Sequence, residues 1–186
     1  MQRCQSSKLK SEMKNNSKVL IICASDSDLL VMNEAVKILD KFAVGYDLTI
    51  SSAHRSHHRT MKIVEEASQS GVKVIIASAG LAAHLAGVVA SLFPLPVIGV
   101  PIKNGPLNGQ DALLATVQMP PGIPVATVAI DGARNAGILA VQILATSDKA
   151  LEENLVEFKK ELAEAIEKKA ANLEEKGIEK VLAEGK

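Results

Sequence analysis

Between Lys18 and Leu144 the chain alternates short apolar runs with stretches of helical periodicity. Val19-Leu20-Ile21-Ile22-Cys23 is unbroken and rich in β-branched residues, the pattern of a strand covered on both faces. Over residues 29–42, Leu30, Val31, Ala35, Ile38 and Leu39 fall on roughly one side of a helix. The same reading predicts strands at 46–51, 73–77, 96–100 and 124–130, and helices at 60–68, 81–92, 107–117 and 133–144. Five strands in strict alternation with helices predict an α/β fold: a flavodoxin-like three-layer sandwich on a five-stranded parallel sheet, with right-handed crossovers. Ligands of such sheets bind beyond the carboxyl ends of the strands. The loops 24–28, 53–58, 78–84, 103–109 and 119–123 are expected there.

The two ends of the chain read differently. Residues 148–186 are rich in Glu, Lys, Leu and Ala, with Leu151, Leu155, Phe158, Leu162 and Ile166 spaced three and four apart. This is a long amphipathic helix, expected to pack on a neighbouring subunit or to lie partly solvated on the surface. Residues 1–17 are polar and basic with no apolar core segment, so they read as a disordered extension and not a secretory signal. The catalytic domain is then expected over 18–147.

Composition narrows the function. Twenty-one basic and twenty-one acidic side chains balance, and aromatics make up 2% of the 186 residues. That leaves no electrostatic case for nucleic acid or an anionic membrane, and few platforms for stacking bases. No apolar stretch reaches the roughly 18–20 residues of a membrane span. Cys4 and Cys23 have neither metal spacing nor a disulfide framework, which points to a reduced, cytoplasmic setting. There is no GxxxxGK[ST] or GxGxxG loop and no His/Cys cluster, so no nucleotide cofactor and no metal are expected.

Three loops carry candidate chemistry. Ala24-Ser25-Asp26-Ser27-Asp28 opens a helix, where hydroxyls and free N–H groups suit a phosphate, although Ser and Asp also serve as plain caps. Ser52-Ala53-His54-Arg55 pairs a group able to exchange protons near neutrality with one suited to bidentate anion binding. His57 and His58 beside it read as exposed residues of a helix start. Ser78-Ala79-Gly80-Leu81-Ala82-Ala83-His84 has small residues that permit close approach to a flat ring; His84 either caps that pocket or is a structural histidine.

Read in order, ASDSD, SAHR, AGLAAHLAG, LNGQD, VQMPPGIPV and NAGILAVQIL resemble the successive segments of class I N5-carboxyaminoimidazole ribonucleotide mutase, over roughly residues 19–150. The resemblance implies that Ser25, Asp28, Ser52 and Arg55 bind a phosphoribosyl group with Ser27 in support. It implies that His54 shuttles a proton, and that Ala79, Gly80, Leu81 and His84 surround an aminoimidazole ring and the migrating carboxyl group. It further implies a homo-octamer with sites between subunits and a small ribonucleotide substrate, without metal or cofactor. Ala24 stands where that family has Gly, Ser56-His57 where it has Thr-Pro, and Ala86 where it has Pro; the Ser56-His57 change is expected to loosen the loop presenting His54. Direct carboxylation of aminoimidazole ribonucleotide by carbon dioxide, or action on a related ring, is the alternative. A signalling receiver domain would need an Asp at the end of its third strand, where this chain has Ser78-Ala79-Gly80.

Overall fold

A computed structural model of the protein describes residues 17–184, so the polar extension expected before residue 18 lies almost wholly outside the described residues. The elements are β1 (Val19–Cys23), α1 (Leu29–Lys41), β2 (Tyr46–Ile50), α2 (His57–Ser70), β3 (Val74–Gly80) and α3 (Leu85–Leu92). They continue as β4 (Val97–Ile102), α4 (Gln110–Val117), β5 (Ala126–Thr127), α5 (Ala133–Ala145) and α6 (Lys149–Glu184). The chain divides into two compact units, residues 1–143 and 144–186.

In the first unit every strand pair is parallel, in the order β2-β1-β3-β4-β5. This is the doubly wound sheet that the alternation predicts. β1, β3 and β4 are buried along nearly their whole length, which is why their sequences are continuous and not alternating. On one face Leu20, Ile22, Ile75 and Ala77 pack with Val64 and Ala67 of α2 and Leu85 and Val89 of α3. Each large aliphatic side chain so buried contributes about 1.5–3 kcal/mol. The intervening residues Val19, Ile21 and Ile76 serve the other face, where α1 buries Met32, Ala35, Ile38 and Leu39.

Strand order reverses between β1 and β3, whose ends lie side by side with Cys23 opposite Ser78. The loops leaving these two strands run to opposite faces and open a crevice between them. One of the five expected loops is misplaced. Residues 119–123 follow α4 and lead into β5, so they belong to the amino ends of the strands. There Gly122, Ile123 and Pro124 line a shallow groove with Phe93-Pro94-Leu95-Pro96, the turn entering β4. β5 is also far shorter than predicted, spanning Ala126–Thr127, after which the Val128 and Asp131 N–H groups still donate to the Gly99 and Pro101 carbonyls of β4.

In the second unit α6 is helical as predicted, with one non-helical residue at Gly177 (φ 74°). Its side chains Leu162, Ile166 and Leu173 are exposed. Among the described residues, no helix is long and apolar enough to cross a membrane.

Candidate active site

The carboxyl end of β1 is organised by its own hydroxyls. Ser25 caps a single 3-10 turn, Asp26–Asp28, its Oγ accepting from the Ser27 N–H at 3.4 Å and donating to Asp26 Oδ1 at 2.9 Å. Asp26 is exposed, and the Ser25 hydroxyl together with the Ser27 N–H holds its carboxyl below the usual range. Asp28 points inward and is 2% exposed. The Ser78 hydroxyl of β3 donates to its Oδ2 and the Ser27 hydroxyl to its Oδ1, both at 3.3 Å. Burial nevertheless pushes the Asp28 carboxyl above its ordinary value, the hydrogen bonds opposing. The neighbouring Cys23 thiol is pushed up to about 11, first by burial, so it is an inert core group.

The loop after β2 is closed by the Ser56 hydroxyl. Ser56 Oγ accepts from the Ser52 N–H at 2.9 Å and donates to the Ser52 carbonyl at 3.0 Å. Below it the buried Ser51 and Thr60 hydroxyls meet at 2.9 Å. These bonds tie the loop that presents His54 through a hydroxyl that Thr would also supply, so they leave the expected effect of His57 in place of Pro untouched. Ala24 does not strain its loop: positive φ among non-glycine residues falls at Ala43, Leu81, Asn108 and Asp131. Arg55 reaches back across the crevice, donating from Nη2 to the Ala24 carbonyl and from Nε to Ser52 Oγ, both at 3.4 Å. These are long bonds, and the guanidinium is exposed, so most of its donors face solvent. Ser25, Ser27, Ser52 and Arg55 thus gather at one mouth, while Asp28 forms its floor.

The third loop brings in the second histidine. β3 runs to Gly80, three residues further than predicted, and α3 begins only at Leu85. Residues 81–84 form a turn in which Leu81 takes a left-handed conformation, φ 55°. The turn carries His84 to His54: Nδ1 of His84 lies 2.9 Å from Nε2 of His54, with the rings edge to face. One hydrogen is shared between these nitrogens, so each ring sets the tautomer of the other. Both imidazoles are exposed at the crevice. His57 and His58 begin α2, exposed, away from this pair.

Further groups support the site. Ser78, expected in the loop, instead lies within β3, where its register sets its hydroxyl on Asp28. Asp131 accepts from the Lys103 N–H at 2.8 Å and donates its own N–H to Pro101, tying the turn before α5 to the end of β4. Asn104 and Gly105 lie against the third loop, and nothing short of the fold brings them there. Among the described residues no group of three or more His, Cys, Asp or Glu is placed to hold a metal ion.

Known proteins resemble this chain over most of its length. A family model described as AIR carboxylase matches residues 18–165. The protein named N5-carboxyaminoimidazole ribonucleotide mutase in Pyrococcus horikoshii is 54% identical over 164 residues, covering 88% of this chain and 93% of that one. The phosphoribosylaminoimidazole carboxylase of Candida glabrata is 51% identical over 162 residues, which cover 87% of this chain but 28% of the yeast protein. Among solved structures, Treponema denticola PurE superposes with a TM-score of 0.77 at 26% identity, covering 83% of this chain and 97% of that one.

Proposed function

We propose an activity from one premise: this chain belongs to the AIR carboxylase family. It converts N5-carboxyaminoimidazole ribonucleotide to 4-carboxy-5-aminoimidazole ribonucleotide, a step of de novo purine synthesis. The observation that carries the reading is the meeting of His54 and His84 at 2.9 Å, beside Arg55 and the hydroxyls of Ser25 and Ser52. A proton-transfer pair adjoining an anion site suits a ribonucleotide whose ring must gain and then lose a proton.

In this reading the guanidinium of Arg55 and the hydroxyls of Ser25, Ser27 and Ser52 bind the phosphoribosyl group. Asp28 shapes the floor and takes a ribose hydroxyl, with Ala79, Gly80, Leu81 and His84 around the ring. The carbamate C–N bond breaks with its electron pair left on nitrogen, and His54 protonates that nitrogen. The carbon dioxide so formed is attacked by ring carbon 4, and His54 recovers the proton that this carbon loses. His84 holds the tautomer that makes His54 first acid and then base. No metal or cofactor enters the scheme. The enzyme works in the cytoplasm as a homo-octamer with sites between subunits. Exposed Leu48, Ile50 and Met61 on the first unit, and the apolar stripe of α6, support such an assembly.

Direct carboxylation of aminoimidazole ribonucleotide by carbon dioxide is the second reading, favoured by the similarity to the yeast carboxylase. One assay decides between them. Purified protein without ATP or metal is expected to isomerise the carbamate substrate with no requirement for bicarbonate, and His54→Asn to lose activity by about 10²–10⁴-fold. Activity appearing only with added bicarbonate would establish the carboxylase instead. Sedimentation at eight times the 19.6 kDa chain mass checks the assembly.

A further inference from the structure

We infer that the β4–α4 loop, through Asn104 and Gly105, seats Leu81 as an apolar cover over the ring end of the site, and that this cover retains the one-carbon intermediate. The inference rests on the mutase reading and deepens it by assigning a positioning role to two residues outside the site motifs.

Leu81 is the anomaly that starts the argument. A left-handed backbone is unfavourable for a residue with a Cβ, and such strain persists only where the surroundings over-determine it. Burial within this chain does not compensate, because Leu81 remains 46% exposed. Its support comes from the adjacent loop. Gly80 ends β3 opposite Ile102, the end of β4, so the two loops start side by side. Asn104 packs where a side chain on Gly80 would go: a Cβ there would lie 3.0 Å from Asn104 Cβ. The Asn104 Oδ1 accepts the Gly105 N–H at 2.8 Å, and Gly105 takes φ 69°. A Cβ on Gly105 would stand 2.5 Å from Leu81 Cδ2, so the leucine rests directly on glycine backbone. The base of this seat is anchored by Asp131 through Lys103 and Pro101.

The chemistry gives the cover a task. Carbon dioxide is neutral, and once the C–N bond breaks no charge holds it near carbon 4. Retention then depends on walls that close against water. Leu81 is the largest apolar side chain in the turn between Gly80 and His84. If it fails to cover the site, the gas leaves and hydrates to bicarbonate, and the protonated nitrogen leaves as the free amine of aminoimidazole ribonucleotide.

The test measures how substrate partitions. Full-length wild type, Leu81→Gly, Gly105→Ala and the double variant are supplied with N5-carboxyaminoimidazole ribonucleotide. The 4-carboxy product and the free amine are then quantified, with spontaneous decarboxylation subtracted. Glycine takes the left-handed conformation readily, so Leu81→Gly keeps the fold. It is expected to raise the free-amine fraction at least about fivefold while KM changes by less than about twofold. Gly105→Ala should act in the same direction by displacing Leu81, and should add nothing in the Leu81→Gly background. An unchanged product ratio in Leu81→Gly overturns the cover, and full additivity of the two changes overturns the seat. If wild type makes no 4-carboxy product, the mutase reading falls and takes this inference with it.

Discussion

The two halves of the crevice are built on different physics. On the β1–β2 side, the loops are closed by side-chain oxygens: Ser25 on the Asp26–Asp28 turn, Ser56 on Ser52, Ser78 on Asp28. On the β3–β4 side Asn104 and Asp131 oxygens also hold the β4 loop, but the two loops meet each other by shape, with Gly80 against Asn104 and Leu81 against Gly105. A hydroxyl-closed loop keeps its geometry as long as a donor or acceptor of similar reach is present. A shape-closed loop tolerates polar change but not an added methyl group. The first half therefore suits a charged, flexible ligand portion and the second a flat one that must be kept dry.

His54 and His84 stand one on each side of this divide, so separating them should have the largest effect. His84→Asn removes the ring nitrogen 2.9 Å from His54 Nε2 and leaves His54 free to adopt either tautomer. A loss of about 10²-fold in kcat is expected, with KM little changed, because proton transfer is impaired while phosphoribosyl contacts remain. A rise in KM with kcat preserved would instead make His84 a substrate-binding wall and sever the proposed link between the halves.

A smaller effect should be confined to the hydroxyl-closed side. Arg55→Lys keeps the charge but loses the planar fork that reaches both Ser52 and Ala24. KM should rise by about tenfold with the product ratio unchanged, the size of one charge-assisted hydrogen bond. If the variant also leaked free amine, the two halves would be coupled through more than the histidine pair.

The same contrast explains what was legible in the sequence. The buried strands announce themselves as Val19–Cys23 and Val74–Ala77, because a parallel strand has no solvent face to break its apolar run. Ser25, Ser52, His54 and Arg55 were legible because their chemistry is local, lying within a few residues of a strand end. The pairing of His54 with His84 was not, since thirty residues separate them and only the β1–β3 neighbourhood brings their loops together. The bonding of Ser56 back to Ser52 was not legible, because that closure depends on the conformation of the loop. Residues 119–123 were expected beyond the carboxyl ends with the other loops, and the chain direction through α4 assigns them to the opposite end. Left-handed Leu81 delays the start of α3 to Leu85, and an apolar period cannot report the sign of φ.

The smallest expected effect tests the floor of the hydroxyl-closed half. Asp28 is buried against Ser78 and Ser27, and burial raises its carboxyl pKa above the ordinary 3.8. A carboxyl whose folded pKa lies above its unfolded one favours folding when protonated, and that contribution is lost as pH rises through the folded value. In its ionised form the carboxyl is therefore a charge that the fold disfavours. Asp28→Asn keeps an oxygen for Ser78 and removes the charge. Its Tm should exceed that of the wild type by about 2 °C at pH 7.5, the order expected for a modest gain in a domain this size. The advantage should shrink as pH falls and the wild-type carboxyl takes up its proton. Activity should fall over the same range in which stability rises, since a carboxylate kept at such a cost serves the ligand and not the fold. An Asn variant less stable than wild type at every pH would mean that the hydrogen bonds outweigh the buried charge, and that Asp28 belongs to the scaffold of this loop.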